Sequence, residues 1–290
     1  MHRRYLTILN RDRLQRNTFQ SQYSLINKNS LHLVCGRPIS PPFQFQRIFG
    51  GRLAARGNFP WQVYFHSPRG GAANMLREDH FELFAGIVDI SEEGLANAVK
   101  LQIADKFIHP NYTYAEKGEI QYNYNNDIAL LKLTEKVKVG QFLSPICLLQ
   151  DASDTELENG KLGYISGWGL TEKRKLSNDL RYAEWVKKEN FVFTPNMFCA
   201  GAYGLDNCHG DGGGAFAILN DQDRFFVEGI VSWGFKCGTY SVYTKVVNYL
   251  EWITKTMGVH ECIMKWRSMQ GWILPFEYCC GKRHTFQTRR

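Results

Sequence analysis

No apolar run in this chain reaches the ~20 residues that a bilayer-crossing helix needs, and its start lacks the order of segments found in a secretory signal. A membrane partner is therefore not expected, and no export signal is legible. Paired Cys-x-x-Cys spacing is missing as well, which argues against a zinc site despite eight cysteines. Those residues, Cys35, Cys147, Cys199, Cys208, Cys237, Cys262, Cys279 and Cys280, fit a disulfide framework and an oxidising compartment better. Acidic residues are scarce only at the ends. Residues 1–34 carry a net +5 and residues 259–290 a net +4, against +7 for the whole chain. The stretch between them is left at −2, so the basic balance offers no nucleic-acid face. The acid-poor start shares its composition with mitochondrial presequences, a reading at odds with the cysteine usage.

What is present is enough apolar surface, 44% hydrophobic and 14% aromatic residues over 290 positions, for one large core or two small ones. No internal repeat or low-complexity tract is evident, so the organisation is read from composition. A basic head, 1–34, is expected to be disordered, and a basic tail occupies 259–290. Between them, β-branched and aromatic runs (Trp61 to Phe65, Ile128 to Leu133, Gly163 to Ser166, Phe225 to Trp233, Val242 to Val246) alternate with Gly, Asn, Asp and Pro. That spacing predicts an all-β sandwich or barrel. Val247, Leu250, Ile253, Thr254 and Met257 then recur at helical spacing, which predicts a closing helix stopped by Gly258. Asn111, Tyr112 and Thr113 form a glycosylation sequon on a Pro-containing stretch.

Several ordered motifs carry more information than any of these features: Cys35 to Pro38, Arg47 to Gly51, Asn58 to Val63, Asn126 to Leu131, Pro145 to Cys147, Ser166 to Gly169, Thr194 to Gly201, Asn207 to Gly214, Val231 to Gly234 and Cys237 to Lys245. Together they resemble the chymotrypsin-like (trypsin-like) serine proteases, in particular the protease part of the complement proteases. The resemblance implies two antiparallel β-barrels side by side with a C-terminal helix and an active site between the barrels. It divides the chain into an activation segment, 35–47, and a protease-like domain, 48–258. It also implies activation by cleavage after Arg47, with the freed amine of Ile48 paired to Asp211. Cys35 with Cys147 would tie the activation segment to the domain, and Cys208 with Cys237 would bridge beside the specificity pocket. Cys199 lacks its usual partner, because the chain runs from Trp185 to Phe191 without a cysteine. No cofactor or metal is implied.

The catalytic set is where the chain departs from that pattern. Asp127 matches the acid that orients the catalytic histidine, but Gly212 stands at the position of the attacking serine. The histidine should follow two small residues at the end of a strand near Gly70 to Ala72, and the chain passes instead into Asn74 to Arg77. His66, His80 and His109 have the wrong neighbours and are read as exposed or structural. Loss of the nucleophile or the base costs roughly 10⁶ in turnover in a serine protease, because the triad works as a unit. The oxyanion donors, the backbone N–H groups of Gly210 and Gly212, do not depend on a side chain. Asp206 matches the acid of the pocket floor, Ser232, Trp233 and Gly234 match the edge that pairs with a substrate backbone, and Ser241 replaces a glycine on the pocket wall.

The missing strand should leave the first barrel incomplete and the second intact, since each strand of a barrel hides its neighbour's edge. The function expected is a catalytically inactive, extracellular complement-type homologue. It would bind protein substrates, inhibitors or other complement components, with neither nucleic acid nor membrane as partner. Two other classes compete with it. One is an active endopeptidase cleaving after Arg or Lys, if the sequence is a faulty reading of its gene; the other is a decayed copy that never accumulates.

Overall fold

A computed structural model describes residues 6–8, 35–42, 52–66, 82–112, 124–155, 157, 160–171, 175–188, 194–201, 210–234 and 240–258. The strands follow the β-branched and aromatic runs. They are β1 (Leu6–Ile8), β2 (Arg52–Leu53), β3 (Val63–His66), β4 (Glu82–Ala85), β5 (Val99–Leu101), β6 (Ile103–Ile108) and β7 (Ala129–Leu133). After these come β8 (Leu162–Gly167), β9 (Arg181–Lys188), β10 (Met197–Gly201), β11 (Ala215–Leu219), β12 (Phe225–Gly234) and β13 (Ser241–Lys245). The fold is all-β; among the described residues a short helix, α1 (Glu92–Ala96), lies between β4 and β5, and a second, α2 (Leu250–Met257), near the end of the described chain.

The two lobes of this fold are built differently. In the first, the described strands form two separate three-stranded sheets, β3-β4-β5 and β1-β7-β6. In the second, a seven-stranded sheet runs β10-β13-β12-β11-β8-β9-β2, and a further pairing of β9 with β10 links strands near its two ends. The pairings of the second lobe thus return on themselves, whereas those described in the first do not. An incomplete first lobe was the expectation from the sequence. The head departs from its expected disorder at three residues, because Leu6–Ile8 pair with β7.

Alternation along the strands sets the cores. In the first lobe Leu83, Ala85, Leu101, Leu131 and Leu133 form one apolar cluster. In the second, Phe198, Phe216 and Tyr243 are mutually packed, with ring centroids 5.1 to 5.3 Å apart, inside a cluster with Ile165, Ile218 and Val231. A third cluster joins the lobes: Phe59, Phe84 and Ile87 from the first meet Tyr164, Trp168, Leu180, Tyr182 and Phe225 from the second. Trp168 Nε1 also donates to the carbonyl of Val88 at 3.0 Å, and Ser166 Oγ to Gln62 Oε1 at 2.8 Å. These two buried side chains at the seam are therefore paired rather than left to oppose burial.

Cys35 and Cys147 form a disulfide across 112 residues of sequence. The backbone around it is stitched to the start of β12. Phe225 N donates to Gly36 O and Cys147 N to Phe225 O, while the buried Arg224 donates from Nη2 to Cys35 Sγ at 2.7 Å. Burial, and after it the neighbouring Arg37 charge, pushes the Arg224 guanidinium below its ordinary value.

Ser91 caps α1 by accepting from Gly94 N, and the Asp89 carboxylate accepts from both Ser91 N and Ser91 Oγ. At the other end of the chain, a 3-10 turn (Val246–Tyr249) precedes α2, and Gly258 with φ 64° ends it, as its position after the last apolar residue predicts. The chain divides into two compact units at Leu250 and Glu251. No helix among the described residues is long and apolar enough to cross a membrane.

Candidate functional site

Asp127 is the best-defined element of the site. It lies in the loop that enters β7 and is 2% exposed. A carboxylate at that depth needs strong partners. Ser232 Oγ, from β12, donates to Asp127 Oδ2 at 2.7 Å, and Thr244 Oγ1, from β13, donates to the Asp127 carbonyl at 2.8 Å. An acid carried by the first lobe is thus fixed by two hydroxyls of the second.

The residues before it are held as tightly. Asn126 takes a left-handed backbone conformation, φ 59°, which asparagine tolerates better than most side chains. Its Oδ1 accepts from Tyr249 Oη at 3.0 Å, and its Nδ2 donates to the Asn111 carbonyl. Asn125 Oδ1 accepts from Thr194 Oγ1 and Asn196 Nδ2. Burial, and then the Asp127 charge, pushes the Tyr249 hydroxyl above the ordinary phenol range, so it remains a neutral donor.

His109, expected from the sequence to be exposed or structural, lies against this loop. Its ring packs edge-on to Tyr249 at 5.2 Å, its Nδ1 accepts from Asn111 N at 3.3 Å, and its backbone N–H donates to Ile128 O. Burial lowers its pKa, favouring the neutral ring. His66, on β3, lies 6.1 Å from the Tyr64 ring. His80 falls outside the described residues.

Gly210 to Gly214 form the turn ahead of β11, seated on β12 by Gly213 N donating to Val231 O and Val231 N to Gly214 O. The register places the residue after Val231, Ser232, beside the same segment. Gly210 has φ 118°, a conformation open chiefly to glycine, and Gly212 offers no side chain to this turn. Asp211 points away from it, accepting from Gly169 N at 2.7 Å. A Cβ at Gly167 or Gly169 would collide with that carboxylate, so the Gly-Trp-Gly run is the space in which Asp211 sits.

Trp233 packs on Tyr124 at 5.7 Å within a cluster that includes Met197 and Val242. Ser241 is buried and opposes Gly234 across the β12–β13 ladder. A Cβ on Gly234 would meet Ser241 Oγ at 3.1 Å, so this hydroxyl takes up room that glycine would leave open. Asn111 is exposed on a turn. Cys199 is buried in β10. Arg47, Ile48, Asp206, Cys208 and Cys237 lie outside the described residues, and so do the activation pair and the pocket floor they were expected to form.

Of the residues singled out in the sequence, the structure joins Asp127 to Ser232, and it adds contacts from Thr244 and between Tyr249 and Asn126 that the sequence reading did not anticipate. The Asn-Asn-Asp run was a usable signal for a constrained turn. Nothing local to Thr244 or Tyr249 foretold their contacts, which join a strand and a 3-10 turn to a loop more than 100 residues away in sequence.

Comparison with known proteins adds independent information. The sequence pattern of the family described as Trypsin matches residues 48–253, more than half of the chain. Among curated proteins, a calcium-dependent serine proteinase of Mesocricetus auratus is 43% identical over 258 residues. The complement C1s subcomponent of Rattus norvegicus is also 43% identical over 258 residues. Each alignment takes in 77% of this chain and 37% of the relative. The complement C1r-B subcomponent of Mus musculus is 37% identical over 265 residues, which is 78% of this chain and 36% of that protein. The chain thus spans little more than a third of the length of these relatives.

Proposed function

The chain belongs to the trypsin family, and on that premise we propose that it is a complement-type serine protease homologue that does not hydrolyse peptides and acts by binding. The observation that carries this reading is the turn at 210–214, where the position of the attacking hydroxyl is Gly212. Acyl transfer needs an oxygen nucleophile and a base to take its proton, and Gly212 supplies no oxygen. The histidine that packs near the Asp127 loop, His109, is engaged with Tyr249 and Asn111. What such a site keeps is an acid, backbone donors and a binding edge.

Binding is supported by the retained Ser232, Trp233 and Gly234 edge, which would pair with an extended polypeptide, and by Asp206, which would attract a basic side chain. Buried Ser241 narrows the wall opposite Gly234, so the pocket would take an Arg or Lys less readily than one walled by two glycines. The partners proposed are proteins of the complement system, their substrates or their inhibitors, met outside the cell. Cleavage after Arg47 and pairing of the Ile48 amine with Asp211 would order the turn at 210–214, and Asn111 would carry a glycan.

The reading is tested on protein treated to cleave after Arg47. Neither hydrolysis of an arginine ester nor covalent labelling at position 212 by a fluorophosphonate is expected, and labelling there would overturn the proposal. Gly212→Ser should remain inactive as well, because the base is also lost and the triad acts as a unit. Turnover in that variant above the buffer rate would show that some other histidine serves.

A further inference from the structure

One strand differs from all the others in origin and direction. β1 comes from the basic head and is separated from Cys35 by 26 residues. It pairs with β7 in parallel, Leu6 with Ala129, Thr7 with Leu130 and Ile8 with Leu131. Every other pairing between named strands is antiparallel.

The edge it covers is costly to leave bare. β7 is buried at Ala129, Leu130, Leu131 and Leu133, with Lys132 alone turned to solvent. One side of β7 pairs with β6, and among the described residues only β1 pairs with the other. Unpaired backbone groups on a buried strand are a template for another strand. Yet the cover spans three residues, and parallel ladders are slightly weaker per residue than antiparallel ones.

We propose that the outer edge of β7 is a strand-acceptor site and that two copies of this chain exchange their head strands across it, forming a reciprocal dimer. A second copy is the fitting occupant because it brings the same strand to the same edge, so exchange needs no new complementarity. Its connection of 26 residues, at ~3.3 Å for each extended residue, reaches a neighbour as well as its own body.

The register supplies the test. Full-length Thr7→Cys is mixed with full-length Leu130→Cys and oxidised, and the covalent dimer is mapped by peptide mass. A disulfide joining the two introduced thiols, one from each chain, is expected at least tenfold above that from Thr7→Cys mixed with out-of-register Lys132→Cys. Linking only within a Thr7→Cys/Leu130→Cys double variant, with none between the mixed single variants, overturns the proposal. Should Leu130→Cys fail to fold, Thr7→Pro decides, since it leaves β7 untouched while its ring fixes φ at about −65°, away from the more extended value of a paired strand. The unmodified chain should sediment as a concentration-dependent dimer and Thr7→Pro as a monomer. A monomeric parent, or a dimer unmoved by Thr7→Pro, rejects the exchange.

Discussion

The second lobe and the first use similar residues to different effect. In the second, β9 and β10 link strands at opposite ends of a run, and Phe198, Phe216 and Tyr243 fill the space inside. In the first, the described strands form two sheets of three that share one apolar cluster without pairing edge to edge, and a strand from the head covers β7 in one of them. Apolar side chains alone therefore do not make a lobe self-sufficient. Hydrogen-bonding every edge is a separate requirement, and it is the one the first lobe meets by borrowing.

The sharpest way to probe that contrast is to make the same kind of truncation in each lobe. Phe216→Ala should cost ~3–5 kcal/mol, since the ring is fully buried between two aromatic neighbours. Leu83→Ala, equally buried in the first lobe, should cost ~2–5 kcal/mol. The difference should lie in how the loss is distributed. Hydrogen exchange should show β4 opening ahead of β11 in Leu83→Ala, whereas Phe216→Ala should loosen the whole domain. A single coincident transition in both variants would mean that the seam cluster of Phe59, Phe84, Trp168 and Leu180 makes the lobes one cooperative unit.

Next in size is the disulfide. Replacing Cys35 and Cys147 with serine should cost ~2–5 kcal/mol in denaturant melts. Part of that loss reflects the closed loop of the unfolded chain, and part the contact of Arg224 with Cys35 Sγ. An Arg224→Met variant with the disulfide intact separates these contributions. A smaller loss, ~1–3 kcal/mol, is expected for Gly163→Ala, because its Cβ would collide with the Phe216 ring.

The smallest effect is one of pH, and it belongs to the first lobe. Burial lowers the pKa of His109 from the ordinary 6.5, so the unfolded chain binds the proton more readily than the folded one. Stability from this group is complete above pH 6.5 and declines as the pH falls from there through the folded value. His109→Phe, which keeps a ring against Tyr249, should flatten that slope of melting temperature against pH. An unchanged slope would assign it to other groups.

Much of this was legible before any coordinates. Runs such as Phe225 to Trp233 and Val242 to Val246 lie within a residue or so of the strands formed, because alternation with a period of two needs only local sequence. The same holds for the stop at Gly258. The hydroxyl partners of Asp127 were out of reach in their geometry, because Ser232 and Thr244 come to it from strands distant in sequence. The head strand was missed for a similar reason. Leu6, Thr7 and Ile8 are too short a run to signal a strand, and their pairing is decided by an edge 121 residues or more away.

By itself, then, the sequence determined the all-β class, the family and the absence of a serine hydroxyl at position 212, since periodicity, motif order and residue identity are properties of the chain read locally. Only the tertiary structure decided that Asp127 is held by two hydroxyls of the opposite lobe, that Asp211 fills the space beside Gly167 and Gly169, and that the head covers β7. Each of these depends on which buried polar group or bare edge must find a partner once the chain is compact, and that demand arises only when water has been excluded.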